Sequence, residues 1–339
     1  MRVLLTGGAG FIGTHTAVEL LNEGHEVVIL DNLSNSSVKA IHRVERLTNK
    51  AIQFYQRDAL DRVGLDDVFS KQDIDAVIHF AGLKAVGESV SDPINYYHVN
   101  INSALAVCQA MLKHGVHHLV FSSSATVYGE PRQVPISEQS DVIDAANPYG
   151  RSKLMIEKIL EDVCHANPQF NVARLRYFNP AGAHSSGEIG EDPRGIPNNL
   201  LPFVSQVAVG QRPELTVFGN DYPTPDGTCI RDYIHVVDLA RGHLAALNKL
   251  KEAPGLVTYN LGTGKGYSVM DIVQAFEAAN DIKVPFKIGP RRAGDIPESY
   301  TDPTAASQAL NWSAKLGIED ICRDAWHWQK KNPAGYQDE

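Results

Sequence analysis

Residues 3–13 read VLLTGGAGFIG, an apolar run that passes directly into a glycine-rich turn. The apolar run lacks helical spacing and is typical of a buried parallel strand. Apolar residues between Ala17 and Leu21 then predict a helix, and a second strand-like run at 26–30 ends at Asp31. This part of the chain therefore predicts a strand–helix–strand unit, with the glycine turn between the first strand and the helix.

The turn carries the residue types that a dinucleotide site needs. Gly7, Gly10 and Gly13 allow a tight turn and a close approach to a pyrophosphate. The N-terminus of the following helix favours the negative charge of that pyrophosphate. Asp31 ends the second strand, where a carboxylate binds the hydroxyls of an adenosine ribose and repels a 2′-phosphate. Together these residues predict a site for NAD rather than NADP.

The composition is that of an ordinary globular enzyme. The chain has 339 residues, of which 43% are hydrophobic and 21% are charged, and its formal net charge is −9. This length predicts a large core and two lobes. The acidic balance argues against the basic surface that binds nucleic acid.

Targeting and metal signals are missing from the sequence. No apolar stretch approaches the roughly 18 residues of a membrane span, and the first residues enter directly into a strand. We therefore expect neither a membrane span nor a signal peptide. Four dispersed cysteines without metal-binding spacing predict reduced thiols, no metal site and a cytoplasmic location; they are Cys108, Cys164, Cys229 and Cys322.

Strand-like and helical patterns alternate through the first half of the chain. Further strand-like runs occur at 52–55, 76–80, 118–122 and 172–176, and helical segments lie between them, for example at 103–113 and 152–163. The alternation predicts an α/β protein with a doubly wound parallel sheet. Ligands bind such sheets beyond the carboxyl ends of the strands. The groups that fall at those ends are Asp31, Asp58, Phe80-Ala81-Gly82 and Ser122-Ser123-Ser124.

The pattern changes after about residue 178. The stretch from Asn179 to Pro202 is rich in Gly, Pro and Asn and has no long periodic element. A later strand-like run at 258–261 and a helix starting near Ser268 predict a smaller second lobe. We therefore expect a dinucleotide-binding domain over 1–178 and a substrate-binding domain over 179–339. Segments at about 232–265 are expected to return to the first domain.

Tyr149 and Lys153 are candidates for acid–base chemistry. Four residues span about one helical turn, so the phenol and the ammonium share a face of the helix. A phenol titrates near pH 10 in water, and a neighbouring cation favours its anion. The Tyr-x-x-x-Lys pattern alone is more typical of two solvated side chains. It gains weight from the glycine turn and from Ser124 upstream.

Taken together, these features resemble the extended short-chain dehydrogenases/reductases. Longer segments narrow the resemblance to the UDP-galactose (UDP-glucose) 4-epimerases: HFAGLKAVGES at 79–89, RYFNP at 176–180, IPNNL at 196–200, DGTCIRDYIHV at 226–236, RRAGD at 291–295 and Asn311-Trp312. The resemblance covers nearly the whole chain. It implies a Rossmann fold with a smaller, interleaved substrate-binding lobe.

The resemblance also implies a set of functional residues. Tyr149 is expected to be the acid/base, Lys153 to lower its pKa and hold the nicotinamide ribose, and Ser124 to bridge to the sugar hydroxyl. The residues expected to bind NAD are Gly7, Gly10, Phe11, Ile12, Gly13, Asp31, Asn32, Asn35, Ser36, Asp58, Ala59, Phe80, Ala81, Gly82, Lys84, Ser122, Tyr149, Lys153 and Phe178. Those expected to bind the UDP-sugar are Lys84, Ser124, Tyr149, Asn179, Asn199, Leu200, Phe218, Arg231, Tyr233, Arg292, Asp295 and Ser299.

The reaction implied is reversible epimerisation at C4 of UDP-galactose and UDP-glucose through a 4-keto sugar. Tyr149 removes the C4 hydroxyl proton, directly or through Ser124, while C4 gives hydride to NAD⁺. The keto sugar, anchored by its UDP, then presents its opposite face and recovers the same hydride. Because net redox is zero, we expect NAD to stay tightly bound through the cycle.

Two positions depart from the pattern of the family. Members restricted to plain hexoses carry Tyr where this chain has Ser299, and members that also accept N-acetylhexosamines have a smaller residue. We therefore expect activity on UDP-N-acetylgalactosamine and UDP-N-acetylglucosamine as well. The alternative is that Tyr300 or a shifted loop fills the space, which leaves a hexose-only enzyme. Val99 replaces an Asn found near the cofactor in relatives, although Asn100 and Asn102 remain.

Other functions fit the sequence less well. A nucleotide-sugar dehydratase needs an Asp-Glu pair after its active-site hydroxyl residue, whereas Ala125-Thr126 follow Ser124 here. A non-catalytic NAD-binding sensor has no need of Tyr149, Lys153 and the paired arginines. A reductase that exchanges NADPH is disfavoured by Asp31.

The sequence also allows a prediction about assembly. Related enzymes are usually homodimers that pair through helices near 92–113 and 150–163. Apolar residues cover more than one face of the second of these segments, which fits a helix that is buried on two sides. Core packing alone is an alternative explanation of this pattern, and we expect a homodimer chiefly on the resemblance.

Overall fold

The computed structural model describes residues 1–142, 145–292 and 294–336. Its strands are β1 (Arg2–Thr6), β2 (Glu26–Asp31), β3 (Gln53–Gln56), β4 (Ala76–His79), β5 (His118–Ser124), β6 (Asn171–Tyr177), β7 (Asn179–Ala181), β8 (Leu215–Phe218), β9 (Ile230–Arg231), β10 (Tyr233–His235), β11 (Leu256–Leu261), β12 (Tyr267–Ser268), β13 (Phe286–Gly289) and β14 (Glu298–Ser299). Its helices are α1 (Phe11–Asn22), α2 (Val38–Thr48), α3 (Arg62–Lys71), α4 (Val86–Ser91), α5 (Pro93–Lys113), α6 (Pro148–Ala166), α7 (Leu200–Ala208), α8 (Val236–Leu250), α9 (Val269–Asn280), α10 (Thr304–Leu310) and α11 (Ile318–Lys331).

A seven-stranded sheet forms the centre of the molecule. Its strand order is β11-β6-β5-β4-β1-β2-β3, and every neighbouring pair is parallel. Strands β2 and β3 are added on one side of β1, and β4, β5, β6 and β11 on the other. The order of strands therefore reverses between β1 and β4, which is the topological switch point of the sheet. The predicted doubly wound parallel sheet is confirmed.

Helices cover both faces of this sheet. On one face, α1, α2 and α8 pack against alternate strand residues such as Val3, Leu5 and Ile29. On the other face, α3, α5 and α6 pack against the intervening residues, including Leu4 and Val28. Because both faces are covered, the strands read as continuous apolar runs rather than as alternating ones.

The second lobe is smaller and has its own core. It contains short sheets made by β8 with β13, by β9 with β12 and β14, and by β7 with β10. Their apolar side chains pack with α7, α9 and α11 around buried residues such as Val204, Phe276 and Ile321. The strand β11 instead pairs with β6 at the edge of the central sheet. The lobes are therefore interleaved along the chain, and the domain boundary at 178 stays a prediction.

Two helices begin earlier than the apolar pattern predicts. The helix α5 starts at Pro93 after the N-cap Asp92, ten residues before the predicted start at Ser103. The helix α6 starts at Pro148, and the side chain of Asn147 accepts a hydrogen bond from the Gly150 amide. Pro at the first helical position and Asp or Asn at the N-cap are standard start signals. The early start of α6 places Tyr149 in the first turn of that helix.

Three sequence-based expectations concern membrane spans, thiols and metal sites. Among the described residues, no helix is both long enough and apolar enough to cross a membrane. All four cysteines are free thiols. Within the same described ranges, no group of His, Cys, Asp or Glu has the geometry of a metal site.

Candidate active site

A cavity of about 1760 Å³ lies beyond the carboxyl ends of the central strands. This volume exceeds the range of roughly 300–1,000 Å³ that is common for a single small ligand. Every residue that the sequence predicts to bind NAD or the UDP-sugar lines this cavity. The cavity also contains residues that sequence reasoning missed, among them Arg57, Glu191 and Arg194. Its size and lining fit two ligands placed side by side.

The glycine turn forms one wall of the cavity at very short range. Gly7 has φ +70°, and a Cβ there would lie 2.7 Å from the backbone nitrogen of Ala81. A Cβ on Gly13 would lie 2.6 Å from the Cα of Gly8. The helix α1 then begins after Gly10 without a side-chain cap from any described residue. The bare backbone and the uncapped helix N-terminus fit the pyrophosphate of a dinucleotide.

Asp31 is held in place at the end of β2. Its two carboxylate oxygens accept hydrogen bonds from the Ala9 amide at 3.0 Å, the Leu33 amide at 2.9 Å and the Ser36 hydroxyl at 2.8 Å. A carboxylate can accept about four hydrogen bonds, so Asp31 retains capacity for a ribose hydroxyl. Nearby, the Asn32 amide donates to Asp58 at 2.8 Å. This end of the cavity fits an adenosine.

Asn100 holds the middle of the cavity wall. Its side-chain oxygen accepts a hydrogen bond from the Leu83 amide at 2.7 Å, and its amide nitrogen donates to the Leu83 carbonyl at 3.1 Å and to the Ser152 hydroxyl at 3.0 Å. These contacts fix the segment after β4 against α6. Val99 lines the cavity beside it. Asn100 therefore keeps Gly82 in place, whereas the effect of Val99 on cofactor binding stays a prediction.

Tyr149, Lys153 and Ser124 meet at the carboxyl end of β5. The Lys153 ammonium donates to the Ser122 carbonyl at 2.7 Å and lies 5.9 Å from the centre of the Tyr149 ring. Burial raises the pKa of Tyr149, and a hydrogen bond with Ser124 acts in the opposite direction. The Ser124 hydroxyl oxygen in turn accepts from the Thr126 hydroxyl at 2.9 Å. The three predicted catalytic residues thus lie together, and Thr126 orients Ser124.

A buried ion pair stands behind these residues. Glu157 lies one helical turn after Lys153 and pairs with Arg176 of β6 at 2.6 Å. The Ser123 hydroxyl also donates to Glu157, at 2.5 Å. Burial lowers the pKa of Lys153 to about 8, and the Glu157 carboxylate counteracts this effect. Glu157 therefore ties α6 to β6 and to β5, the strand that carries Ser122 and Ser124, a link that the sequence alone did not indicate.

The charged groups of the second lobe form the other end of the cavity. The Arg292 guanidinium makes two hydrogen bonds to Asp295, at 2.8 and 3.1 Å, and lies 5.9 Å from the centre of the Phe218 ring. Arg231 lies 3.8 Å from the same carboxylate. Ala293, the middle residue of the motif at 291–295, lies outside the described residues. Two guanidinium groups that face one cavity suit a diphosphate.

The motif at 226–236 contains mostly structural residues around Arg231. Asp226 accepts hydrogen bonds from the Thr228 amide and hydroxyl, both at 2.8 Å. Asp232 is fully buried and accepts from the Thr263 amide at 2.9 Å and from the Gly264 amide at 3.0 Å. The bonds of Asp232, which directly follows β9, connect that strand to the segment after β11. They fix the position of β9, whose Arg231 side chain lines the cavity.

Ser299 lines the cavity, whereas Tyr300 faces another direction. The strand β14 pairs with β9 so that Ser299 lies opposite Arg231. Neighbouring strand residues project to opposite faces. The Tyr300 ring accordingly lies against Gly266, with a ring carbon 3.1 Å from the position of a Cβ on that glycine. The space beside Ser299 is therefore not filled by Tyr300.

Comparisons with known proteins agree with this geometry. The model of the NAD dependent epimerase/dehydratase family matches residues 3–262. The UDP-glucose 4-epimerase of Pasteurella multocida is 58% identical over 338 residues, covering 100% of both chains. The crystal structure of UDP-glucose 4-epimerase from Bifidobacterium longum in complex with NAD⁺ and UDP has a TM-score of 0.97 and 52% identity, with 99% of this chain and 100% of that chain covered. An epimerase structure from Stenotrophomonas maltophila, with bound NAD and formylated UDP-arabinopyranose, has a TM-score of 0.96 and 48% identity over 98% of this chain and 99% of that one.

Proposed function

This chain belongs to the NAD-dependent epimerase/dehydratase family, within the UDP-glucose 4-epimerases, and we propose that it also epimerises N-acetylated UDP-hexosamines. It is an NAD-dependent isomerase that acts on UDP-sugars. The observation that carries the proposal is the small Ser299 on the cavity wall, with the Tyr300 ring packed elsewhere. A hydroxymethyl group in place of a phenol leaves room for an acetamido group at C2 of the sugar.

The chemistry proposed for the reaction centre uses Tyr149, Ser124 and Lys153. Bound NAD supplies two-electron redox chemistry, which amino-acid side chains lack. Tyr149 takes the proton from the C4 hydroxyl, directly or through Ser124, and later returns it on the opposite face of the sugar. Burial alone raises the pKa of Tyr149, so ionisation requires positive charge nearby. Lys153 provides such a charge, and the oxidised nicotinamide of the cofactor carries another.

The proposed role of the second lobe is to anchor the nucleotide while the hexose turns. Arg231 and Arg292 bind the diphosphate through charge-assisted hydrogen bonds, and Asp295 holds both guanidinium groups in position. The anchor needs strong contacts because the sugar must be free to present both faces at C4. This division of labour explains why the charged residues gather at the nucleotide end of the cavity.

The alternative functions remain weaker. Ala125 and Thr126 follow Ser124, so the acid pair of a dehydratase has no counterpart at this position. A hexose-only epimerase requires that another group occupy the space beside Ser299. The packing of Tyr300 against Gly266 argues against that ring as the filler.

We also propose that the protein is a cytoplasmic homodimer. The helices α5 and α6 pack side by side and expose apolar side chains, with Met155 46% and Ile94 81% exposed. Ile101, Leu154 and Ile159 form an apolar depression beside them. A second copy of the same surface would cover these groups around a two-fold axis. Sedimentation of the purified protein tests the dimer, because a species that stays monomeric at all protein concentrations contradicts it.

The proposed cytoplasmic location rests on the cysteines. Free thiols are consistent with a reducing compartment.

A parallel assay tests the proposed function. The purified protein, without added NAD, is incubated with UDP-galactose and separately with UDP-N-acetylgalactosamine, and the products are resolved by chromatography. We expect both substrates to be converted into their C4 epimers. Conversion of UDP-galactose alone would contradict the role assigned to Ser299, and conversion of neither, even after addition of NAD, would contradict the catalytic assignment.

A further inference from the structure

Residues 190–199 form a strap across the cavity. The strap leads into α7, which begins at Leu200, and all ten of its residues line the cavity. It is rich in Gly, Pro and Asn and contains no helix or strand. Its two charged side chains that reach the dinucleotide-binding half of the molecule are Glu191 and Arg194.

The first part of the strap is fixed to the C-terminal segment. The Gly190 amide donates to the Tyr336 hydroxyl at 3.1 Å, and the Asp192 carboxylate accepts from the Tyr336 amide at 2.8 Å. The Trp328 indole donates to the Glu191 carbonyl at 3.3 Å. These bonds fix the backbone of residues 190–192, so any movement of the strap occurs between Asp192 and Asn199, whose side-chain amide the fixed Glu191 carboxylate holds.

Arg194 connects the strap to the adenosine end of the cavity. Its backbone amide donates to the Asn35 side chain at 3.3 Å, and its guanidinium donates to the Ser36 carbonyl at 3.0 Å. The Ser36 hydroxyl in turn donates to Asp31. A single residue, Ser36, thus links the strap to the Asp31 carboxylate, which is predicted to bind the adenosine ribose. While these contacts are made, the strap is bonded across the end of the cavity that fits an adenosine.

Glu191 connects the strap to the centre of the cavity. Its carboxylate, whose side chain is 8% exposed, pairs with Lys84 at 3.0 Å and accepts from the Asn199 amide at 2.7 Å. Because a carboxylate only accepts hydrogen bonds, this contact requires the amide nitrogen of Asn199 to face Glu191. The Asn199 oxygen is then directed away, as an acceptor for a ligand. Glu191 therefore joins a predicted cofactor residue to a predicted substrate residue.

We propose that Arg194 and Glu191 are positioning residues that keep the strap closed over NAD and so retain the cofactor between turnovers. The inference rests on the NAD-dependent reaction described above. That reaction returns NAD to its starting state in each cycle, so an enzyme that retains the cofactor loses nothing. Opening of the strap at Arg194 is then the step that limits cofactor exchange, and catalysis proceeds without it.

The test is the rate at which bound NAD exchanges. The holoenzyme is loaded with radiolabelled NAD, diluted into excess unlabelled NAD and filtered at intervals. For Arg194→Ala we expect exchange about fivefold faster than in the wild type, as for the loss of one hydrogen bond. For Glu191→Gln, which removes the charge that pairs with Lys84, we expect a similar increase. Arg194→Lys, which keeps a cationic donor, is expected to restore most of the retention.

Controls separate a positioning role from general damage. Arg132→Ala removes another exposed arginine, whose ion pair with Asp141 spans 3.3 Å, and should leave exchange unchanged. Melting temperatures of all variants are measured alongside, because lost stability without faster exchange indicates only a structural role. Wild-type exchange rates in both Arg194→Ala and Glu191→Gln overturn the inference. A wild-type protein that binds no NAD overturns the assigned function as well, which distinguishes the two failures.

Discussion

The cofactor end and the nucleotide-sugar end of the cavity are built in different ways. At the cofactor end, the wall consists largely of backbone and buried side chains, with Asp31 7% and Lys153 5% exposed. At the other end, the wall consists of long side chains from loops and short strands. There the Arg292 side chain is 56% exposed and Phe218 is 44% exposed. The walls expected to hold NAD are thus enclosed by the fold, and those expected to hold the UDP-sugar lie nearer the surface.

The difference follows from what each end must do. NAD is regenerated in every cycle, so a rigid, closely fitting site carries no kinetic penalty. The UDP-sugar must enter and leave, and in the proposed mechanism its hexose turns while the nucleotide stays anchored. Flexible charged side chains can re-form contacts at each turnover, whereas a glycine turn in contact with backbone cannot adapt. Mutations at the two ends should therefore have separable effects.

The largest effect is expected from Gly13→Ala. The new Cβ would lie 2.6 Å from the Cα of Gly8, so the turn must shift away from the helix. We expect the purified variant to contain almost no NAD, to lose activity and to be destabilised by about 1–3 kcal/mol. Absorbance of the denatured protein measures the cofactor, and thermal melting measures stability. Gly317→Ala, where a Cβ meets open space, is the control, and normal NAD content in Gly13→Ala would contradict the rigid-wall interpretation.

Tyr149→Phe should separate chemistry from cofactor binding. The variant keeps the ring beside Lys153 and loses only the hydroxyl that exchanges the proton. We expect kcat to fall about 10³-fold, within the range for a lost acid–base group, while bound NAD remains. Steady-state kinetics and cofactor content are measured on the same preparation. A decrease of less than about tenfold would mean that another group carries the proton.

Arg292→Ala should affect only the nucleotide-sugar end. Loss of a charge-assisted hydrogen bond of about 2 kcal/mol should raise KM for UDP-galactose about thirtyfold. Bound NAD should be unchanged. The neighbouring Arg291, which pairs with Asp221 at 2.7 Å, provides the matched control Arg291→Ala, with KM near that of the wild type. Equal effects of the two substitutions would show that Arg292 has no specific contact with the substrate.

Ser299→Tyr is the mildest change and addresses specificity alone. A phenol at this position should fill the space proposed for the acetamido group. We expect kcat/KM for UDP-N-acetylgalactosamine to fall about tenfold relative to UDP-galactose, as expected for steric discrimination. Ser299→Ala should keep both activities. An unchanged ratio in Ser299→Tyr would indicate that the acetamido group binds elsewhere.

The fold was largely predictable because its signals are local. The glycine turn, Asp31 and the alternation of strand-like and helical segments can each be read from short stretches of sequence. The parallel sheet that they predict is confirmed. The apolar pattern alone missed the start of α5 at Pro93, because polar residues such as Asn95 and Asn100 obscure the spacing, whereas the resemblance had already implied a helix near 92–113. The capping signal of Asp92 followed by Pro93 could have found it.

The contacts across the cavity were not predictable in the same way. Glu191 is 107 residues from Lys84 in sequence, and Arg194 is 158 residues from Ser36. No periodicity relates residues at such distances, and the strap itself has no regular pattern. The ion pair of Glu157 with Arg176 joins residues only 19 apart, but it connects the helix α6 to the strand β6, and neither helical nor strand periodicity relates residues of two different elements. The roles of the binding residues stay predictions until the variants are measured.

The most direct test of a retained cofactor and a turning sugar uses UDP-galactose labelled with deuterium at C4. The purified protein is incubated with this substrate and a large excess of unlabelled NAD, and both products and NAD are examined by mass spectrometry. We predict UDP-glucose that keeps the deuterium at C4, with no label in the added NAD. Loss of deuterium from the sugar, with its appearance in the free cofactor pool, would contradict the account.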